Sequence, residues 1–206
     1  MNYFFTGGGG NTSAILTWTM QCTTPSEEHY KMAQGYAQAA KIVIESLLQD
    51  NRNKRADKIV FPLLFLTEQA VELYLKSILI VIDELNGGNH DIQKTHDLKK
   101  LYDNVCTAVL DVEPTSDFRE GLKALEVYLS ERAALIPDDE VQQREAFFAM
   151  RFPTTIKKKG YFYVNQMENI YFSLVNYYRT FPEILDRLDG YQCRYAYMLE
   201  QKQTNE

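Results

Sequence analysis

The hydrophobic pattern of residues 61–82 predicts the central helix of a helical core. This segment is apolar on almost every side, as expected of a helix that neighbouring elements surround. Its few charged residues, Glu68, Glu72 and Lys76, are spaced four apart and therefore form one stripe along the helix. A charged stripe on a buried helix needs polar partners from other parts of the chain.

Helical periodicity also predicts the elements around this central helix. A first helix is expected from Ser26, as its N-cap, to about Asp50. The central helix is expected to begin between Asp57 and Pro62 and to stop at Asn86. The remaining predicted helices cover 97–110, 114–135 and 166–201, the last with a kink or restart at Pro182. The pattern therefore predicts a mainly α fold, an up-and-down bundle of about five helices.

Two segments have a β pattern instead. Residues 14–22 alternate between apolar and polar side chains after the glycine run 7–10, which indicates an N-terminal β-hairpin. Residues 154–164 carry β-prone runs on both sides of three lysines and a glycine, and a second small hairpin is expected there. We therefore divide the chain into an N-terminal hairpin extension, 1–25, and a helical bundle, 26–206.

Composition narrows the class of protein. The net charge of −6 argues against a general nucleic-acid coat, although it leaves room for a local basic site. No uncharged apolar run reaches transmembrane length, and no secretory signal is apparent, so we expect no membrane association and a cytoplasmic location. The three cysteines include no C-x-x-C pair, so we expect reduced thiols, no metal and no cofactor.

Three short motifs resemble those of one known family. The segment 68–76, EQAVELYLK, resembles the "QAxExxLK" second helix of HEPN domains. The segment 95–98, THDL, is similar to their "HDL" segment, and 151–153, RFP, is similar to their "RYP" triplet. The motifs occur in the same order and with similar spacing, and the resemblance covers roughly residues 27–190.

The resemblance implies a helical bundle that forms a homodimer. Many HEPN proteins are metal-independent endoribonucleases of toxin–antitoxin, phage-abortive and CRISPR-linked systems, and others bind RNA or nucleotides or hold complexes together. The active members share an Arg-x(4–6)-His motif. The histidines of this chain are His29, His90 and His96, and none has an arginine five to seven residues before it.

We therefore expect a non-enzymatic or weakly active module that binds RNA or nucleotide in a prokaryotic stress or phage-defence system. A protein encoded by a neighbouring gene is a further possible partner. The first alternative is a metal-independent endoribonuclease that uses His96 and Arg151. The second is a purely structural interaction or dimerisation module, with the tyrosine-rich C-terminal helices and the Trp18 strand as its contact surface.

His96 and Arg151 have two interpretations. In the catalytic one, His96 takes a proton from a ribose 2′-hydroxyl and Arg151 stabilises the charge of the phosphorane. In the structural one, which we favour, His96 and Asp97 cap the third helix and Arg151 pairs with Glu68 or Glu72. Networks of charged residues with shifted pKa values are often structural rather than catalytic.

Two further groups are candidate binding residues. Glu72 and Lys76 are four residues apart, and we expect them to form an intrahelical ion pair on a semi-exposed edge. The second predicted hairpin contains Lys157, Lys158, Lys159 and Tyr161. Lysines can follow a phosphate backbone and an aromatic ring can stack on a base, so these residues are candidates for RNA binding. The structural alternative for that group is a solvated hairpin tip with rings that face the core.

Overall fold

The computed structural model describes residues 24–88, 95–135 and 170–205. Helices account for 86 % of these residues, and no strand occurs among them, so the prediction of a mainly helical bundle is confirmed. The helices are α1 (Pro25–Gln49), α2 (Arg55–Leu85), α3 (Leu98–Val112), α4 (Phe118–Gly121), α5 (Lys123–Ala134) and α6 (Leu174–Asn205). The hairpins predicted at the N-terminus and at 154–164 lie outside the described residues.

The centre of the bundle is α2, as predicted. Between Thr67 and Ile82, every residue except Gln69 and Leu79 is buried. Burial on all sides follows because α2 packs against α1, α3 and α6. Among the described helices, no stretch combines the length and apolar character that crossing a bilayer requires.

α1 begins two residues earlier than the sequence indicated, and Ser26 has a different role. Thr24 is the N-cap, since its hydroxyl accepts a hydrogen bond from the Glu27 amide at 3.2 Å, and Pro25 follows in the first turn. Ser26 is 3 % exposed and packs on α2. There its hydroxyl donates to the Ser77 carbonyl at 3.1 Å, and the Ser77 hydroxyl donates to the Ser26 carbonyl at 2.9 Å.

The chain reverses sharply between α1 and α2. Asn53 and Lys54 have φ values of 56° and 52°, in the left-handed region that turns the chain back. The Asn51 side chain accepts a hydrogen bond from the Ala56 amide at 2.8 Å. This turn starts α2 at Arg55, earlier than predicted, so Pro62 lies inside the helix rather than in its first turn.

α6 is one continuous helix, whereas the sequence indicated a start at 166 and an interruption at Pro182. Residues 170–173 are not helical, and the helix runs from 174 to 205 with Pro182 inside it. Proline removes one helical hydrogen bond. Phe181, Ile184 and Leu188 are buried immediately around it, so packing on the core holds the helix together through this position.

The predicted fourth helix is divided into α4 and α5. The break falls at Leu122, just after Gly121. A Cβ atom at Gly121 would lie 2.3 Å from the Tyr191 hydroxyl oxygen, so glycine permits the close approach of α6. The same hydroxyl donates to Asp117 at 3.0 Å, which fixes α4 against α6.

The attachment of α6 to α2 makes stability sensitive to alkaline pH. Burial raises the pKa of Tyr177 to about 12, although its hydrogen bond with Thr67 lowers it somewhat. The folded state thus holds the phenolic proton more tightly than the unfolded state, whose pKa is about 10. This stabilisation is fully present below pH 10 and is lost as pH rises towards 12.

We therefore expect urea denaturation to show a free energy of unfolding that falls between pH 10 and 12. One pKa unit is about 1.4 kcal/mol, so Tyr177 accounts for about 2–3 kcal/mol of the loss. Tyr177→Phe should be less stable at pH 7 by about 1 kcal/mol, yet decline less steeply above pH 10. Tyr171→Phe, at a position 88 % exposed, is the control. Equal slopes for wild type and Tyr177→Phe would contradict this account.

Candidate functional site

The charged stripe of α2 is buried. Glu68 is 1 % exposed, Glu72 is 2 % exposed and Lys76 is 9 % exposed. The expectation that Glu72 and Lys76 occupy a semi-exposed edge is therefore wrong, because the segment before α3 and the C-terminal half of α5 cover this face. Buried charges are tolerated only where partners compensate them, so the partners of the stripe define the site.

Glu68 is held by two side chains of α5. Nε of Arg132 lies 2.5 Å from Oε1 of Glu68, and the second guanidinium contact, to Oε2, measures 2.9 Å. The Tyr128 hydroxyl donates to Oε1 at 2.8 Å. Burial, with the adjacent Glu68 charge, holds the pKa of Tyr128 well above its usual value, so the hydroxyl remains a donor. Burial lowers the pKa of Arg132, but Glu68 outweighs it and the net shift is upward.

Glu72 lies one turn further along α2 and also has two partners. Lys76 donates to its Oε1 at 2.7 Å, which confirms the predicted ion pair. Nδ1 of His96 lies 3.0 Å from the same oxygen and 3.3 Å from Oε2. The histidine segment therefore supplies one of the polar partners that the α2 stripe needs. The imidazole is half exposed, so this is the part of the site that reaches the surface.

Asp97 has the capping role that the structural interpretation gave it. Its side chain accepts a hydrogen bond from the Lys100 amide at 3.1 Å and caps α3. Its own amide donates to the Thr95 hydroxyl at 3.1 Å. The cap fixes the backbone of Asp97, which directly follows His96. The negative charge of Asp97 also contributes to the raised pKa of Arg132.

Tyr128 and Arg132 were not predicted as site residues. A signal for them existed, because Leu125 and Leu129 mark the inner face of α5, and Tyr128 and Arg132 flank that face four residues apart. Among the described residues, the guanidinium that contacts Glu68 is therefore that of Arg132. The other candidate residues lie outside the described residues, namely Arg151, Lys157, Lys158, Lys159 and Tyr161.

The buried part of the site is electrically balanced. The carboxylates of Glu68 and Glu72 are matched by Arg132 and Lys76. The half-exposed imidazole of His96 is the group of this cluster that a ligand in solution can reach. Across residues 24–88, 95–135 and 170–205, no group of three His, Cys, Asp or Glu side chains is arranged to hold a metal ion.

Removal of the Arg132 guanidinium should destabilise the bundle strongly. Arg132→Met leaves the Glu68 carboxylate buried without its cation, and we expect a loss of about 3–5 kcal/mol in urea denaturation. Arg132→Lys should lose less but not recover fully, because an ammonium cannot make the two parallel contacts. Glu68→Gln combined with Arg132→Met should regain much of the loss, since no unpaired charge is then buried.

The matched control is Arg187→Met. Arg187 pairs with Glu183 at 3.0 Å on the surface of α6, with side chains 45 % and 66 % exposed. Such a pair contributes about 0–1 kcal/mol. If Arg132→Met and Arg187→Met lower the free energy of unfolding by the same amount, the interaction of Glu68 with Arg132 does not stabilise the fold as proposed.

The chain was also compared with known proteins. No family model matches it, no curated protein sequence matches it, and no solved structure matches it.

Proposed function

We propose that this protein is a HEPN-like helical-bundle module that binds RNA or nucleotide as a homodimer. Its proposed setting is a prokaryotic stress or phage-defence system in the cytoplasm, with a protein encoded by a neighbouring gene as a further partner. The observation that carries the proposal is the 3.0 Å contact between Nδ1 of His96 and Oε1 of Glu72. It joins the EQAVELYLK helix to the THDL segment, two of the three motifs on which the resemblance rests.

The charges of the site support binding rather than efficient catalysis. The buried carboxylates of the α2 stripe and their cations neutralise each other, so this cluster offers no excess positive charge to a phosphate. Affinity for RNA then depends on exposed cations, for which Lys157, Lys158 and Lys159 are the candidates. The half-exposed His96 would lie at the edge of the binding surface.

RNA binding can be tested by fluorescence anisotropy with a labelled single-stranded RNA between 50 and 200 mM salt. Replacement of Lys157, Lys158 and Lys159 by alanine should weaken binding at least tenfold. It should also reduce the slope of log affinity against log salt by about 2, since each single-strand phosphate contact contributes about 0.7.

The control variant removes three positive charges from other exposed positions. Arg52, Lys58 and Arg179 are exposed, and their joint replacement by alanine also removes three cations. This control should change the affinity and the salt slope much less than the lysine variant. If the protein binds neither RNA nor a nucleotide but remains dimeric, the purely structural alternative replaces this proposal.

A second candidate function is a metal-independent endoribonuclease. The contact between Glu72 and His96 favours it, because a buried carboxylate that orients a half-exposed imidazole is a common arrangement for a general base. In this version Arg151 would stabilise the charge that develops on the phosphate.

If the protein cleaves RNA in this way, cleavage should persist in EDTA and His96→Ala should slow it by about 10²–10⁴-fold. His29→Ala is the matched control, since His29 lies on α1, where its ring contacts the Pro25 carbonyl at 2.8 Å. Rates should be measured with a fluorogenic RNA. A His96→Ala protein that cleaves at the wild-type rate eliminates the enzyme.

A further inference from the structure

A groove of about 310 Å³ lies between α1, α2 and α6. Tyr74 lines it from α2 and is two residues beyond Glu72, so the groove and the charged stripe lie on nearly opposite faces of that helix. The volume is at the lower end of the range for small-molecule sites, about 300–1,000 Å³. The lining combines both signs of charge with aromatic rings.

The carboxylate of Asp189 is fixed in this groove by two other helices. Its Oδ1 accepts from the Tyr74 hydroxyl at 3.1 Å and from Nε2 of Gln34 at 3.2 Å. Burial, reinforced by Asp189, raises the pKa of Tyr74, so that hydroxyl remains protonated and continues to donate. Tyr30 of α1 is a further hydrogen-bond partner of this carboxylate, so its partners are neutral donors and the negative charge of Asp189 is retained in the groove.

Two further charges line the groove without neutralising each other. Asp186 is one turn before Asp189 on α6, and Lys41 stands on α1. Neither forms an ion pair with any residue of the described parts of the chain, although the two have opposite signs and share one cavity. A ligand that carries both charges would satisfy both side chains at once.

Two largely buried aromatic side chains, Tyr177 and Phe181, also contribute to the lining; they are 5 % and 4 % exposed. The rings of Tyr177 and Phe181 are stacked, with centroids 4.6 Å apart and an interplanar angle of 25°. Both residues line the groove together with Pro182. The parts of these rings that reach the groove suit contact with an aliphatic stem, because that contact removes apolar area from water.

We propose that the groove binds a basic amino acid or a ligand of the same chemistry. The cationic end lies on Asp186 and Asp189, the stem lies on Tyr177 and Phe181, and the carboxylate pairs with Lys41. The net charge of the three lining residues, one lysine against two aspartates, complements the single positive charge of such a ligand. This site does not depend on the RNA-binding proposal, which concerns the other face of α2.

Isothermal titration with L-arginine, agmatine and L-citrulline tests the three contacts separately. Agmatine lacks the carboxylate and citrulline lacks the charge, so each should bind at least tenfold more weakly than arginine. Asp186→Asn should weaken arginine and agmatine at least tenfold. Lys41→Met should weaken arginine to the level of agmatine and leave agmatine unchanged or tighter. L-Lysine, with the same dependence on both variants, would support the same site.

Asp111→Asn is the matched control, because it makes the same charge change at an exposed position of α3 that does not line the groove. Its affinity for arginine should equal that of wild type. Asp186 and Lys41 are exposed, so both variants should fold, which circular dichroism verifies. The proposal is overturned if neither arginine nor lysine binds, if citrulline binds as well as arginine, or if both groove variants bind like wild type.

Discussion

The arrangement of this bundle depends on the need to compensate carboxylates that the central helix carries into the core. An ionised carboxylate at 1 % exposure is tolerable only with a well-placed cation and its remaining oxygen atoms bonded. Arg132 and Tyr128 provide this for Glu68, and both belong to α5. The packing of α5 is therefore set by an ionic contact as well as by its apolar residues.

The same requirement positions the histidine segment. Glu72 has Lys76 on its own helix, yet a single lysine leaves carboxylate oxygen capacity unused, and His96 approaches it from the chain before α3. Asp97 caps α3 immediately afterwards, so one dipeptide both starts a helix and contacts the core. A side chain that is fixed at Nδ1 and half exposed is suited to recognition, because its geometry is set before a ligand arrives.

The sequence predicted those features that local periodicity records. Helical spacing places Leu98, Leu101, Tyr102, Val105 and Val109 on one face of α3, and all five are buried. The burial of α2 on every side followed from its apolar residues, which occur on almost every side. Arg132 was not predicted because the local pattern places it only beside the inner face of α5, and its contact with Glu68 depends on how α5 packs over α2. The continuity of α6 through Pro182 escaped for a similar reason, since tertiary burial outweighed a local helix-breaking preference.

Charged side chains are paired on one side of α2, whereas Lys41 and Asp186 on the other side are not. On one face, each carboxylate meets a cation within hydrogen-bond distance, so the charges stabilise the fold and leave little for a ligand except the imidazole. On the other face, Lys41 and Asp186 line one cavity without pairing, and Asp189 is held by neutral donors that do not cancel its charge. Lys41 and Asp186 are exposed, so water solvates their charges and the fold does not require either as a counter-ion. Substitution of these two side chains can therefore report on the ligand proposed for the groove with little effect on the fold.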